Sequence, residues 1–162
     1  MNKPKIHIYT DGSARGNPGP GGYGILMEWC GKGYVKEFSE GFQHTTNNRM
    51  ELMAVIEALK KLKIASEVVV FTDSKYVSDS VEKKWVFQWE RKGFKGKKNV
   101  DLWREFLKIY KKHSVSFRWV KGHNDHPQNE RCDKLAVAAS KNNNLLIDKG
   151  FQKEGSLFKS SN

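Results

Sequence analysis

Four acidic residues, Asp11, Glu51, Asp73 and Asp133, stand far apart in the chain in settings that each call for an explanation. Two share a local pattern: Ile8-Tyr9-Thr10-Asp11-Gly12-Ser13 and Val70-Phe71-Thr72-Asp73-Ser74. Each is an apolar, strand-like run that ends in Thr-Asp and then turns. A carboxylate at the end of a buried strand, twice, points to a site that needs clustered negative charge. The rest of the chain is basic, with 29 Lys and Arg against 18 Asp and Glu and a net charge of +11. A small acidic centre in a basic body matches a divalent cation acting on a polyanion, most simply nucleic acid.

The elements that must position these acids can be read from periodicity and turn residues. Lys5 to Asp11 alternates as a strand, Gly12 to Gly22 is a loop dense in Gly and Pro, and Tyr23 to Trp29 is a second strand. Gly31-Lys32-Gly33 turns the chain into a third strand, Tyr34 to Phe42, so an antiparallel meander is expected. Thr45-Thr46-Asn47-Asn48 offers helix caps ahead of a helix from Arg49 to Lys63. Glu67 to Asp73 is almost continuously apolar, the pattern of a central strand buried on both faces. Helical segments fill Lys75 to Glu90, Lys92 to Lys98 is a basic loop, and Val100 to Lys112 is helical. Ser114 to Lys121 alternates as a fifth strand, Gly122 to Pro127 is a loop, and Asn129 to Ser140 is an Ala-rich helix. This order predicts one α/β domain on a mixed sheet over residues 1–152. A polar tail over 153–162 is expected to be mobile, with Leu145 to Ile147 able to dock.

In that scheme Asp11 and Asp73 end parallel strands whose axes lie about 4.8 Å apart if adjacent. Glu51 heads the stripe Val55, Ala58 and Leu62, which should face the sheet, although a first-turn Glu is also favoured by the helix dipole. Asp133 shares a helical face with Ala136 and Val137, yet its neighbours Glu130, Arg131 and Lys134 also suit an ordinary surface helix. Two carboxylates about 4 Å apart repel by roughly 4 kcal/mol at an effective dielectric of about 20, and burial adds to this. Divalent cations relieve both. Hard oxygen donors without a His or Cys array favour Mg²⁺, with Mn²⁺ as a substitute.

Composition narrows the class. At 162 residues one compact domain with a sizeable core is expected. No apolar run approaches a membrane span, and Met1-Asn2-Lys3-Pro4-Lys5 carries no signal-peptide core, so a cytoplasmic chain is expected. Cys30 and Cys132 form neither a disulfide framework nor a zinc spacing and read as reduced thiols.

At the four acids the chain resembles type I ribonuclease H of the bacterial type, the endonuclease that cuts RNA within RNA–DNA hybrids. The motifs that carry the resemblance are Tyr9 to Ser13, Gly16 to Gly24, Thr45 to Leu52, Thr72 to Ser74, Asn99 to Trp103, Trp119 to His123 and Asn129 to Asp133, in family order. The resemblance implies the ribonuclease H-like fold, a five-stranded mixed sheet ordered 3-2-1-4-5 and flanked by helices. It implies that Asp11, Glu51, Asp73 and Asp133 hold two Mg²⁺ ions for hydrolysis of the RNA strand, leaving 5′-phosphate and 3′-hydroxyl ends. It also implies that Glu51 orients the RNA 2′-hydroxyl next to the cut. His123, in the loop after Gly122, would assist proton movement or product departure, and a family-like monomer without an obligate protein partner is expected.

Family analogy extends to substrate grip. The glycine-rich loop lacks the Gly-Lys-Ser/Thr ending of a P-loop, so close backbone approach to substrate, starting at Gly12, is the better reading. Asn17, Asn47 and Asn48 would contact the hybrid's sugars and bases, and Thr46 and Asn99 match a pocket for a DNA-strand phosphate. His44 stands where some relatives carry Arg, and Lys75 where Gln is common beside the RNA strand. The segment from Lys83 to Lys98 interleaves basic and aromatic residues, as a nucleic-acid groove requires, with Trp85 and Trp89 as rings for the sugars. It resembles the family's basic protrusion, with a shorter loop and Phe94 in place of Trp. Two other readings remain at this level: a catalytically silent hybrid-binding module, and another nuclease of the same fold, such as a resolvase or integrase core.

Overall fold

A computed structural model describes residues 3–122 and 126–160, with side chains described as far as residue 155. Strands β1 (Lys5–Ala14), β2 (Gly19–Trp29) and β3 (Tyr34–Thr45) form the meander. Helix α1 (Asn47–Lys60) leads to β4 (Glu67–Thr72), and helices α2 (Lys75–Glu82), α3 (Trp85–Arg91) and α4 (Val100–Tyr110) lead to β5 (Ser114–Trp119). Helices α5 (Pro127–Ser140) and α6 (Lys149–Ser160) close the chain. The sheet order is β3-β2-β1-β4-β5, with β1 antiparallel to β2 and parallel to β4. This is the expected sheet.

Alternation along each strand sorts the core. Ile6 and Ile8 of β1, Ile25 and Met27 of β2, Val68 and Val70 of β4 and Phe117 of β5 face one side, where they meet α1, α4 and α2. On the other side Tyr9 and Leu26 pack with Cys132 of α5, against Phe71. Helix α5 crosses β1, β2 and β3. Val69 and Phe71 of β4 are therefore only half-buried, whereas Val68 and Val70 are fully buried. The continuous apolar run had predicted burial on both faces. One face lies beyond the reach of α5.

The glycine-rich stretch is mostly strand, not loop. β1 runs on to Ala14 and β2 starts at Gly19, leaving Arg15 to Pro18 as the connection. The glycines of this loop were expected to serve substrate approach, but Gly12 and Gly22 lie against helices, as does Gly24 of the expected second strand. Gly24 pairs with Asp11 across the β1–β2 ladder. A Cβ on Gly24 would sit 2.2 Å from the Cys132 carbonyl oxygen and 2.8 Å from the Leu135 Cβ. The missing side chain is what lets α5 settle directly beside Asp11. Gly24→Val is expected to lower stability by at least about 2 kcal/mol through overpacking, checked by urea denaturation. Turnover should fall further than stability explains, because Asp133 is carried on the displaced helix.

Other boundaries moved for local reasons. The helical stretch from Lys75 splits at Lys84, whose φ of 66° breaks the α-helix between α2 and α3. The C-terminal stretch read as a polar tail contains α6, which runs across the expected boundary at residue 152. Its approach is anchored: Leu146 bridges to Phe42, with the Leu146 N–H donating to the Gly41 carbonyl at 2.9 Å. Among the described residues no helix is long and apolar enough to cross a membrane.

Candidate active site and substrate cleft

Asp11 and Asp73 emerge at the carboxyl-end edge of the parallel pair β1 and β4, and Glu51 reaches them from the first turns of α1. Carboxylate oxygens of Asp11, Glu51 and Asp73 lie within 4.8 Å of one another. Asp133 of α5 lines the same cleft of about 390 Å³, together with Gly12, Asn47, Asn48 and Lys75. All four acids therefore converge, although they span more than a hundred residues of sequence.

Glu51 is the most firmly held. Its Oε1 accepts the Gly12 N–H at 2.7 Å, and its Oε2 accepts the Thr72 hydroxyl at 3.2 Å. A Cβ on Gly12 would lie 2.5 Å from the Met50 carbonyl carbon and 2.7 Å from the Glu51 nitrogen, so only glycine lets α1 come this close. Thr72 also accepts the Ser74 N–H at 3.0 Å, which shapes the turn carrying Asp73. The Trp119 indole N–H donates to the Asp73 carbonyl oxygen at 2.9 Å and ties that turn to β5. The Lys75 ammonium sits 4.5 Å over the same indole. Gly122 packs against the acid itself: a Cβ there would be 2.9 Å from Asp73 Oδ2.

Burial dominates the electrostatics. Asp11 is 7% exposed and Glu51 6%. Burial, then the charges of Asp73 and Asp133, push the Asp11 carboxyl up to about 7, although a hydrogen bond shared with Glu51 pulls the other way. Glu51 is raised well above its ordinary value by burial and by the neighbouring Asp11. Carboxyls that resist ionisation because they are dry and crowded by like charge are suited to a divalent cation. The donors are all oxygen, which favours a hard ion. Asp11, Glu51 and Asp73, with Asp133 beside them, are the residues that could hold it.

The expected substrate residues fall into groups. Asn17, Thr46, Asn47, Asn48 and Asn99 line one cavity of about 720 Å³, and Asn47 and Asn48 link it to the acidic cleft. Three of these side chains also build the walls. Thr46 caps α1 by accepting the Arg49 N–H at 3.2 Å, Asn17 Oδ1 accepts the Asn47 N–H at 2.9 Å, and Asn47 Oδ1 accepts the Ala14 N–H at 2.6 Å. His44 does not line this cavity, but its ring lies 5.5 Å from that of Phe151, which does. Trp85 is exposed beside Lys83, but Trp89 is partly buried against the core, in a T-shaped contact with the buried Trp103. Lys97 covers Trp89 at 5.0 Å. His123 lies outside the described residues. His126, just ahead of α5, rests against the rings of Tyr9 and Phe71.

Sequence reasoning gave no role to Arg49, although both Arg49 and Asp101 sit inside the quoted motifs. Arg49 is 1% exposed. It donates to Asp148 at 2.7 and 2.9 Å and to Asp101 at 2.7 and 2.9 Å, and lies 3.7 Å from Glu154. Asp148 also accepts the Thr45 hydroxyl at 2.7 Å, and Glu154 accepts the Asn99 N–H at 2.8 Å. This network joins the start of α1 to α4 and α6. A charged residue next to a helix cap gives no sign of burial unless its distant partners are known.

The comparisons agree with this geometry. The RNase H family profile matches residues 3–141. Ribonuclease H of Desulforamulus reducens is 51% identical over 152 residues, covering 91% of this chain and 94% of that protein. The chain belongs to the ribonuclease H family. Among solved ribonucleases H, the crystal structure of LC9-RNase H1, a type 1 RNase H with the type 2 active-site motif, superposes with a TM-score of 0.76 at 36% identity. That match covers 86% of this chain and 74% of LC9-RNase H1. The crystal structure of LC11-RNase H1 in complex with RNA/DNA hybrid matches with a TM-score of 0.63 at 31% identity, covering 83% of this chain and 95% of that one. The ribonuclease H fold thus accounts for the sheet order, and the acidic cleft lies at the carboxyl-end edge of β1 and β4 in that fold.

Proposed function

We propose that the chain is a metal-dependent endoribonuclease that hydrolyses the RNA strand of RNA–DNA hybrids, with Mg²⁺ as its ion and Mn²⁺ able to substitute. The observation that carries this reading is the convergence of Asp11, Glu51 and Asp73, with Asp133 beside them, in one cleft of a basic protein. Divalent ions held by these carboxylates would supply a water of lowered pKa and neutralise charge on the phosphodiester and its leaving oxygen. The chain's own residues set the stage. Gly12 and Thr72 hold Glu51 in place, and Trp119 holds the Asp73 turn. The cavity that continues past Asn47 and Asn48 to Asn99 offers a path for a second strand.

The grip on substrate follows from charge and rings. Lys75 lines the cleft and Lys98 the adjoining cavity, and with Trp85, Trp89 and the other lysines between Lys83 and Lys98 they would supply cations and rings, the combination that tracks a sugar–phosphate backbone. Asn17, Asn47, Asn48, Thr46 and Asn99 add short polar groups suited to sugar and phosphate, and His44, behind Phe151, would add a further polar group. The hybrid-bound ribonuclease H relative supports a hybrid as the substrate.

The test is to incubate labelled hybrid, duplex DNA and duplex RNA with the protein and Mg²⁺, with and without EDTA. Cutting confined to the RNA of the hybrid, and lost with EDTA, is expected. Hybrid that is bound but left intact would make the chain a binding module. Cutting of duplex DNA would place it among the other nucleases of this fold.

A further inference from the structure

The meander gathers a second set of metal-ligating side chains, well away from the acidic cleft. His7 of β1 pairs directly with Glu28 of β2. Cys30 follows Glu28 by one strand period, so His7, Glu28 and Cys30 share one face of the sheet. The end of β2 is pinned beside them by the Cys30 N–H, which donates to the Lys5 carbonyl at 3.0 Å. One donor atom from each of the three side chains lies within 4.8 Å of the other two. His7 Nδ1 faces Glu28 Oε1 at 3.9 Å, too far for a hydrogen bond. The distance is about half an ångström wider than the roughly 3.4 Å between two tetrahedral ligands at about 2.0–2.1 Å from one ion, a gap that a small side-chain rotation closes.

We propose that His7, Glu28 and Cys30 form a binding site for a borderline divalent cation of the Zn²⁺ class, with a solvent molecule as fourth ligand. An imidazole, a carboxylate and a thiol are a mixed N/O/S set, which suits Zn²⁺ and is poor for Mg²⁺. Both His7 and Glu28 are more than a third exposed, so an ion can enter and the fourth position faces water. Cys30 is a free, half-buried thiol, unlike the fully buried Cys132. The His7 ring is held edge-on at 5.3 Å by Phe71, which limits the freedom lost on binding. With the thiol ionised, the ligands carry two negative charges and neutralise the ion, releasing a proton. The one cation on the same face of β1, Lys5, is exposed and has a flexible stem that can turn its charge to water. Four residues of strand separate His7 from Asp11, roughly 13 Å at about 3.3 Å per residue, so the two centres are distinct. Sequence spacing hides the site, because only the β1–β2 register brings residue 7 opposite residue 28.

The test is titration of the full-length protein with Co²⁺ in a large excess of Mg²⁺, which keeps the acidic cleft occupied. A 1:1 complex with a thiolate-to-cobalt charge-transfer band, bleached by added Zn²⁺, is expected. Cys30→Ser should remove the band. His7→Ala should weaken binding by tenfold or more, and Cys132→Ser should leave the band in place. Circular dichroism confirms that each variant is folded. No thiolate band in the parent protein, a band that survives Cys30→Ser, or a complex of one ion with two protein chains would each overturn the proposal.

Discussion

Asp11→Asn is expected to abolish turnover while making the metal-free protein more stable at neutral pH. Asp11 is buried at the meeting point of four carboxyls, and its own is pushed from 3.8 up to about 7. A folded-state value above the unfolded one means that the fold holds a proton that the unfolded chain has released. Stability of the metal-free protein therefore declines as pH rises from about 4 to about 7, then levels off. The gap between 3.8 and about 7 corresponds to roughly 4 kcal/mol. Glu51, raised in the same direction, adds to the effect.

Asparagine keeps the shape and cannot ionise. In the absence of metal at pH 8 the variant should melt roughly 8–16 °C higher than the parent, at about 2–4 °C per kcal/mol for a chain of this size. At pH 4 the difference should nearly vanish. Turnover of hybrid should fall by about a thousandfold or more, since the ion loses a ligand that no neutral amide replaces. Calorimetry with EDTA and a cleavage assay with Mg²⁺ read the two effects separately. A variant with near-normal turnover would remove Asp11 from the reaction. An unchanged melting temperature at pH 8 would mean that the carboxyls do not repel one another as their burial implies.

The second large effect is on Arg49. Arg49→Met should destabilise the fold by about 3–5 kcal/mol, because it leaves the buried Asp148 without its cation. Chemical denaturation measures this, and the double variant Arg49→Met/Asp148→Asn should recover a large part of the loss. If the two changes were simply additive, the buried pair would not be the source of the stability. The pH dependence of this network runs opposite to that of the acidic cleft. Burial pushes Asp101 up, but the Arg49 guanidinium overrides it and holds the carboxyl below its ordinary value. The stability this gives is present above the unfolded value and is lost as pH falls through the folded one. Acid therefore relaxes the acidic cleft while it loosens the joint between α1, α4 and α6.

These two clusters also mark how far the sequence could be read. Asp11 and Asp73 were legible from strand endings, and Glu51 from its place on an apolar helical stripe, because those periodicities are local. Asp133 was legible mainly through its motif. Its position depends on α5 lying against Gly24, a contact between segments more than a hundred residues apart. Arg49 went unassigned for the same reason: a buried charge is defined by its partners, and Asp101, Asp148 and Glu154 lie on other elements. Gly22 was expected in a loop but lies in β2, because its missing side chain reflects the helix α5 packed on it, which no local pattern records. Trp89 likewise offered charge-flanked aromaticity in sequence, while in the fold it is partly buried beside Trp103.

By itself, then, the sequence determined the order of elements from β1 to α5, the mixed sheet they build and the residue types of an acidic centre in a basic protein. Alternation, capping and turn residues act over a few positions and survive in one dimension. Tertiary structure alone decided which acids are dry, which charges are paired and how closely α1 and α5 approach. It also decided that His7, Glu28 and Cys30 share a face. Those properties arise from register and close packing between distant segments, where a missing Cβ or a single guanidinium determines what can come together.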